Sequence, residues 1–543
     1  MTLFERILKA RGLEGSARDL FLSPSYDAKH DPFLLPDMTA AVDRLVTARQ
    51  QQQHVTIYGD YDIDGLTATT VLLDAFDSFG FTHVDAFIPN RFVEGYGLTI
   101  DAVERIAATG TQLVVTVDCG SLSEKEIIRA NELGVDIIVT DHHNVASVQP
   151  PAIAVINPKR PDHNYPFIDL AGVGVAFKLV QALQTRLDGL PIGQEKWLLD
   201  LVALGTVCDV VTLVDENRAN VYWGLKVLAQ TRRPGLQALM AVAAVEPGKV
   251  NSRSLGFGLG PRMNAAGRLE TAQHALDMLR ASDSLSALEK AQQLDALNMA
   301  RRSDQDKIFK AALLQAELYK NDPVLVVSHP DWNHGIIGIV AAKLLEKYHK
   351  PTYVLQEMGE ETKGSARSYG DFSAADAIRA SDDIITKGGG HKLAAGVSLP
   401  TKNIDTFRQR VNEFYRSQHL FDQAALLLPK EDLVVTHFRD VNEGLLQQLE
   451  QLEPFGNGNP EPVFKSENLL VVNLRRMGAD AQHVKLELQD ADKMRMQFLA
   501  FNAPETFFVE PGEYVTIWFQ PGVNEWQGRR TVEGRLLHLE SME

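Results

Sequence analysis

The chain has 543 residues, 45% of them hydrophobic and 23% charged, with a formal net charge of −17. That length predicts roughly two to four domains, and no apolar run approaches the roughly 20 residues that span a bilayer. The start, MTLFERILKARG, lacks a signal-peptide core, and two cysteines are too few for a disulfide framework, which fits a reducing compartment, so a cytoplasmic protein is expected.

In chain order, residues 1–50 read as a leader packed on the domain that follows, with turns near Pro24, Pro32 and Pro36. From His54 the pattern alternates. HVTIYGD is a short apolar strand and LTATTVLLDAFDSF has helical spacing. VDAFIP, LVVTVDCG, VDIIVTDHH and AIAVINP are further strands, with helices such as SEKEIIRANELG between them. Strands separated by helices predict a doubly wound parallel α/β sheet over 51–283, more helical after Ala171. A breaker-poor stretch predicts a long connecting helix over 284–320. PVLVVSHP opens a smaller α/β unit over 321–400, and a helical linker follows over 401–429. The strands LLVVNLR, HVKLELQD, MQFLAFN, YVTIWFQ and RTVEGRLLHLE predict an OB-like β-barrel over 430–543.

Ligands of such sheets collect at the carboxyl ends of the strands, and that is where the acidic residues fall. GDYDIDG puts Asp60, Asp62 and Asp64 after the first strand, VTVDCG puts Asp118 after another, and VTDHH puts Asp141, His142 and His143 after a third. LGTVCDVV adds Asp209. So many carboxylates on one edge repel unless cations lie between them. Carboxylate with imidazole suits Mn²⁺ or Mg²⁺. Two such ions would polarise a phosphate and lower the pKa of a bound water. The pattern points to a metal-dependent phosphodiesterase. The net charge decides nothing about nucleic acid, because binding depends on where basic residues sit.

Each piece alone has another explanation. The run Asp60 to Gly65 matches the start of an EF-hand loop, but its twelfth position is Val71 rather than Glu and a strand precedes it. Strand then Asp-x-Asp-Gly fits a haloacid-dehalogenase nucleophile at Asp62, which leaves the Asp-His-His triplet unexplained. Asp118 alone could cap a helix. Cys119 and Cys208 are small hydrophobes beside the site.

Taken together, GDYDIDG, VTVDCG, VTDHH and ALGTVCDVV resemble, in order, the ligand-bearing motifs of the DHH phosphoesterase superfamily. IPNRFVEGYGL, LGPRMNAAGRL, HGIIGIVAAKL, GSARS and GGGHKLAAG extend the resemblance to the bacterial RecJ single-strand DNA exonucleases over nearly the whole chain. The resemblance implies two divalent ions, Mn²⁺ or Mg²⁺, held by Asp62, Asp64, Asp118, His142 and Asp209, with Asp118 bridging and Asp60 an outer ligand. It implies catalytic roles for Asp118, Asp141, His142 and His143, the last positioning the phosphate or assisting proton transfer. Tyr58 stands where some small DHH phosphatases carry histidine, which argues against a pyrophosphatase.

The smaller α/β unit resembles the DHH-associated domain, which supplies substrate contacts. Arg91, Tyr96, Arg262, Asn264, Arg268, Ser365 and Arg367 are implied to grip the substrate, arginine through its bidentate fork. Gly388, Gly389 and Gly390 would bring N–H groups close to a phosphate, or mark only a tight turn, with His391 beside them. Phe92, Tyr96, Trp332 and Tyr369 are stacking surfaces or core. The C-terminal part, heralded by LEPFGNGNPEPVF, resembles the OB-type domain of that family. The expected protein is a monomeric 5′-to-3′ exonuclease releasing mononucleotides from single-stranded DNA in repair and recombination. A single-strand-binding protein and a helicase are its expected partners. The alternatives are a DHH phosphodiesterase for RNA, oligonucleotides or cyclic dinucleotides, and a non-catalytic DNA-binding scaffold.

Overall fold

The computed structural model describes residues 1–420, 424–478, 480–526 and 528–542. They form two compact units: Met1–Asn264 with Ala272–Ala291 and Pro429–Glu543, and Ala265–Thr271 with Gln292–Leu428.

The first unit contains the expected parallel sheet. Its strands are β1 Val55–Gly59, β2 Val84–Phe87, β3 Leu113–Val117, β4 Asp136–Thr140 and β5 Ala154–Ile156, in the order β2-β1-β3-β4-β5. All neighbours are parallel. β1 and β3 are buried along their whole length, as a sheet covered on both faces requires, and their residues are correspondingly rich in valine and isoleucine. The register sets Gly59 beside Val117 and Val117 beside Thr140. Asp60, Asp118 and Asp141 therefore leave three adjacent strands at the same level. Asp62 caps the helix Ile63–Phe79 by accepting the Gly65 N–H at 3.1 Å, and Gly80, at φ 80°, ends it in the left-handed region.

The long helix spans Ser284–Leu318. In the second unit β6 Leu325–His329, β7 Thr352–Met358, β8 Glu361–Arg367, β9 Lys387–Gly390 and β10 Ala394–Pro400 build a mixed sheet ordered β6-β7-β8-β10-β9. Only β6 and β7 pair in parallel; the rest are antiparallel. The glycine run forms edge strand β9, not a tight turn.

The C-terminal strands are β11 Leu433–Val434, β12 Phe464–Met477, β13 His483–Gln489, β14 Arg495–Ala500, β15 Tyr514–Trp526 and β16 Arg529–Ser541. Their order is β11-β12-β13-β14-β16-β15, and β12 also pairs with β15, which closes five of them into the OB-type barrel. Phe464, Phe498 and Phe519 fill its centre.

The leader departs from expectation. It does not pack as one piece on the following domain. Helix Met38–Gln50 packs on β5 and the helix Gly172–Leu183, but helix Leu3–Ala10 sends Phe4, Ile7 and Leu8 into the barrel core. The i, i+3, i+4 spacing of these three residues gives the helix an apolar face, but a face alone does not name its partner. Arg11 fixes the arrangement, donating to Asp432 Oδ1 and Asn459 Oδ1, both at 2.8 Å. No described helix is long and apolar enough to cross a membrane.

Phe4→Ala should cost the barrel about 3–5 kcal/mol. Hydrogen-exchange mass spectrometry should find faster exchange in β12 and β13, with β1 and β3 unchanged.

Candidate metal centre

The strand ends deliver their carboxylates into a buried pocket of the sheet edge. Asp60, Asp64, Asp118, Asp141 and His142 are all buried. Asp118 sits at φ 61°, a left-handed conformation tolerated better by Asp than by most residues, and its N–H donates to Thr140 O at 3.0 Å. Asp209 arrives from elsewhere, at the carboxyl end of the helix Leu199–Cys208.

Three groups of side chains bring ligand atoms within 4.8 Å of one another: Asp60, Asp62 and Asp118; Asp64, His142 and Asp209; and Asp118, His142 and His143. Asp118 and His142 each belong to two of them. His142 Nε2 lies 3.1 Å from Asp118 Oδ1, 3.5 Å from Asp209 Oδ2 and 3.8 Å from Asp64 Oδ2. Asp60 Oδ1, Asp118 Oδ1 and His142 Nε2 are buried without a hydrogen-bond partner. Buried polar atoms are almost always paired, so three orphans among these clustered ligand atoms fit divalent cations bound by oxygen and imidazole.

The electrostatics agree. Burial, then the charge of Asp62, pushes Asp64 up to about 7 and Asp60 well above the carboxylate range. Burial and the charge of Asp64 push Asp209 up to about 9 and raise Asp118 as well. His142 moves the other way, to about 3, through burial and the charge of His143. Its ring hydrogen-bonds the backbone of Leu170, which leaves Nε2 facing the carboxylates.

Asp141 does not join them. Its carboxylate accepts the N–H groups of Ser121, His142 and His143 at 2.9, 2.7 and 3.0 Å, and His143 Nδ1 lies 2.9 Å away. Burial works against that charge, but the bond with His143 wins and holds Asp141 below the usual carboxylate range. In this arrangement Asp141 fixes the orientation of the His143 ring. The same contact outweighs burial at His143 and raises its pKa. Tyr96, expected in substrate binding, places its hydroxyl 3.1 Å from His143 Nδ1 and its ring edge-on. Arg91 lies over the Tyr61 ring, 4.4 Å from its centroid, beside the Asp60–Asp62 turn.

The sequence reading missed the start of helix Gly172–Leu183. The N–H groups of Gly172 and Val173 donate to Asp64 at 2.6 and 2.8 Å, so a positive helix end holds this carboxylate. A Cβ on Gly172 would lie 2.7 Å from Asp118 Oδ1, which is why glycine stands there. The available signal was the pair of glycines in AGVGVAF at a helix start.

Comparison with known proteins places this geometry. Residues 54–206 match the N-terminal domain of the DHH family, 321–417 the DHHA1 domain and 434–538 the RecJ OB domain. The single-stranded-DNA-specific exonuclease RecJ of Escherichia coli (strain K12) is 34% identical over 92% of this chain and 89% of its own. The chain belongs to the RecJ family. The Bacillus subtilis member is 37% identical over 97% of this chain, which spans 66% of that relative's length. The crystal structure of RecJ from Thermus thermophilus in complex with Mn²⁺ superposes with a TM-score of 0.85 at 28% identity, covering 99% of this chain and 76% of that one.

The remaining residues that the RecJ resemblance singled out lie on other elements. Arg262 and Asn264 stand on the helix Gly260–Leu269, with Arg262 donating to Gly258 O at 2.7 Å. In the second unit Arg268 donates to Gly335 O at 3.0 Å. Ser365 and Arg367 lie on β8, where a Cβ on Gly338 would meet Ser365 Oγ at 3.3 Å and Arg367 Nη2 at 3.1 Å. In β9 a Cβ on Gly388 would meet Ile378 at 2.3 Å and one on Gly390 would meet Ala394 O and Ala395 at 2.6 Å, so packing accounts for both. Only Gly389 of the three faces open space, and His391 is exposed beside it. Trp332 is core, stacked on His329. Tyr369 donates its hydroxyl to His349 O, and Phe92 is half-buried. Cys119 is buried and Cys208 partly so, both as free thiols.

In the metal-free protein these carboxyls keep protons that the unfolded chain releases near pH 4. The folded state binds more protons, so stability falls as pH rises from about 5 to about 9. The melting temperature in EDTA should decline over that range, and Mn²⁺ should restore it most at the alkaline end. Gly172→Ala should weaken Mn²⁺ binding about 10- to 100-fold by displacing Asp118, as read by calorimetric titration.

Proposed function

We propose that this chain is a metal-dependent exonuclease that hydrolyses single-stranded DNA to mononucleotides in the 5′-to-3′ direction, serving repair and recombination. The observation that carries the reading is the convergence of five aspartates and two histidines on orphaned ligand atoms at the edge of one sheet. Asp62, Asp64, Asp118, His142 and Asp209 would hold two divalent cations, Mn²⁺ or Mg²⁺, with Asp60 as outer ligand and Asp118 shared. When bound, the ions supply Lewis acidity and a lowered water pKa.

The chain's own groups do the rest. Asp118 and Asp209, whose pKa values are raised by burial and by neighbouring carboxylates, would give up their protons to the cations on binding. His142 stays neutral and offers Nε2. Asp141 grips His143 by Nδ1 and favours its protonated form, which suits His143 to hold a phosphate oxygen or give a proton to the leaving oxygen. Arg91, Tyr96, Arg262 and Asn264 in the first unit are assigned to substrate binding, and so, within the second unit, are Arg268, Ser365, Arg367, Gly389, Gly390 and His391. The OB-type barrel tracks the strand, as such barrels do with single-stranded nucleic acids. The protein acts as a cytoplasmic monomer on ends exposed by a helicase and a single-strand-binding protein. The domain layout that serves this is a DHH domain over 51–283, a DHHA1 domain over 321–400 and an OB domain over 430–543.

End-labelled oligonucleotides test the reading. With Mn²⁺ or Mg²⁺, single-stranded DNA should shorten from its 5′ end while blunt duplex is spared and EDTA stops the reaction. Inert DNA beside degraded RNA would overturn the substrate and keep the metal chemistry. Asp118→Ala should lower the rate by at least about 100-fold, beyond the effect typical of outer partners, while electrophoretic shift still detects strand binding. Loss of binding with the rate preserved would refute the assignment.

A further inference from the structure

Asp209 is the one proposed ligand that follows no strand, and its position depends on a turn more than 240 residues away in sequence, by the span from Val210 to Asn457. Immediately after it, Val210 stands at φ 62°, the left-handed region that β-branched side chains avoid. Val210 is 65% exposed, so packing of its own side chain does not hold it there. The hold comes from the segment LEPFGNGNP.

There Gly456 and Asn459 exchange backbone hydrogen bonds at 2.9 and 3.1 Å, folding Asn457 and Gly458 into a tight turn, with Gly458 at φ 75°. Asn457 Nδ2 donates to Val210 O at 3.0 Å, and the Leu213 N–H donates to Asn457 O at 2.7 Å. Asn457 thus ties down both ends of the segment 210–213. A Cβ on Gly456 would meet Leu213 Cδ1 at 2.7 Å, so the turn must be this lean to approach. The turn is itself anchored. Asn459 Nδ2 donates to Leu452 O and Pro454 O at 2.8 and 2.9 Å, Ser252 Oγ donates to Phe455 O at 2.6 Å, and Arg218 donates to the carbonyls of Leu452, Glu453 and Pro454.

We propose that Asn457 is a positioning residue for the metal centre: the turn that leads into the OB-type barrel holds Val210 in its unfavourable conformation and thereby sets the Asp209 carboxylate against Asp64 and His142. The inference rests on the proposed reading of Asp209 as a ligand. It makes the entry to the strand-binding barrel part of the apparatus that builds the cation site. Outer partners of ligands typically change metal affinity 10- to 100-fold, and Asn457 acts on the backbone of the ligand's neighbour.

The test uses the full chain with Mn²⁺ as probe, in calorimetric titration and in exonuclease assays across Mn²⁺ concentration. Asn457→Ala should raise the Mn²⁺ dissociation constant and the half-saturating Mn²⁺ about 10-fold. At saturating Mn²⁺ the rate should return to within about twofold of the parent, and the melting temperature in EDTA should stay unchanged. Val210→Gly, which accepts positive φ without a Cβ clash, should recover most of the lost affinity when added to Asn457→Ala. Unaltered Mn²⁺ affinity in Asn457→Ala, or a double variant as weak as the single one, would overturn the inference. A purely structural role would instead lower the melting temperature and leave the Mn²⁺ dependence in place. If the parent chain itself binds no Mn²⁺, the metal-centre reading fails first, and the comparison between variants is not reached.

Discussion

Mutual repulsion among buried carboxylates is the constraint on which the rest of this structure depends. Ionising Asp60, Asp64, Asp118 and Asp209 side by side is costly, and the molecule answers with position and with proton or cation uptake. The register of β1, β3 and β4 delivers three strand-end aspartates at one level. The N-terminus of the helix Gly172–Leu183 offsets part of the charge on Asp64. Neutral His142 lies among the anions without adding a charge of its own. What remains uncompensated is the set of lone pairs that a divalent cation satisfies.

The same constraint separates the two neighbours of the Asp-His-His triplet. His142 and His143 are adjacent in sequence and their rings meet edge to face at 4.5 Å, yet their proton affinities diverge. Asp141 is the cause. By taking three backbone N–H groups and the His143 ring, it becomes a fixed anion that favours a proton on one imidazole. The other imidazole, buried and next to a cation, is driven neutral. Consecutive residues thus yield a fixed anion, a neutral imidazole and an imidazole that favours its proton.

The sheet edge was legible in the sequence because both of its signals are local. VTIYGD, VTVD and VTDHH each place an apolar β-branched run directly before a carboxylate, and parallel pairing brings such ends together. The long helix was legible because Ser284 to Leu318 contains no breaker. Contacts made at a distance were not. Nothing in LFERILKA states that its apolar face enters a barrel formed after residue 430, nor does AGVGVAF announce that its first glycine makes room for Asp118. The glycine run of β9 was readable as a turn or a phosphate cradle, and the packing of Ile378 and Ala395 against it, rather than composition, decides two of its three positions. Asp141 was legible as part of the site but not as the partner of His143, because the N–H groups that hold it come from two separate strand ends, at Ser121 and at His142 and His143, whose meeting the sequence does not display.

The insertion of Phe4, Ile7 and Leu8 into the barrel core has a consequence for biosynthesis. These residues leave the ribosome long before the strands that cover them, which run up to Leu539. At roughly 5–20 residues per second, about half a minute to more than a minute and a half separates the two. Throughout that interval an amphipathic helix waits with its apolar side bare while the parallel sheet is already complete. The barrel cannot mature on a nascent chain that lacks β16, so its assembly is gated by translation itself.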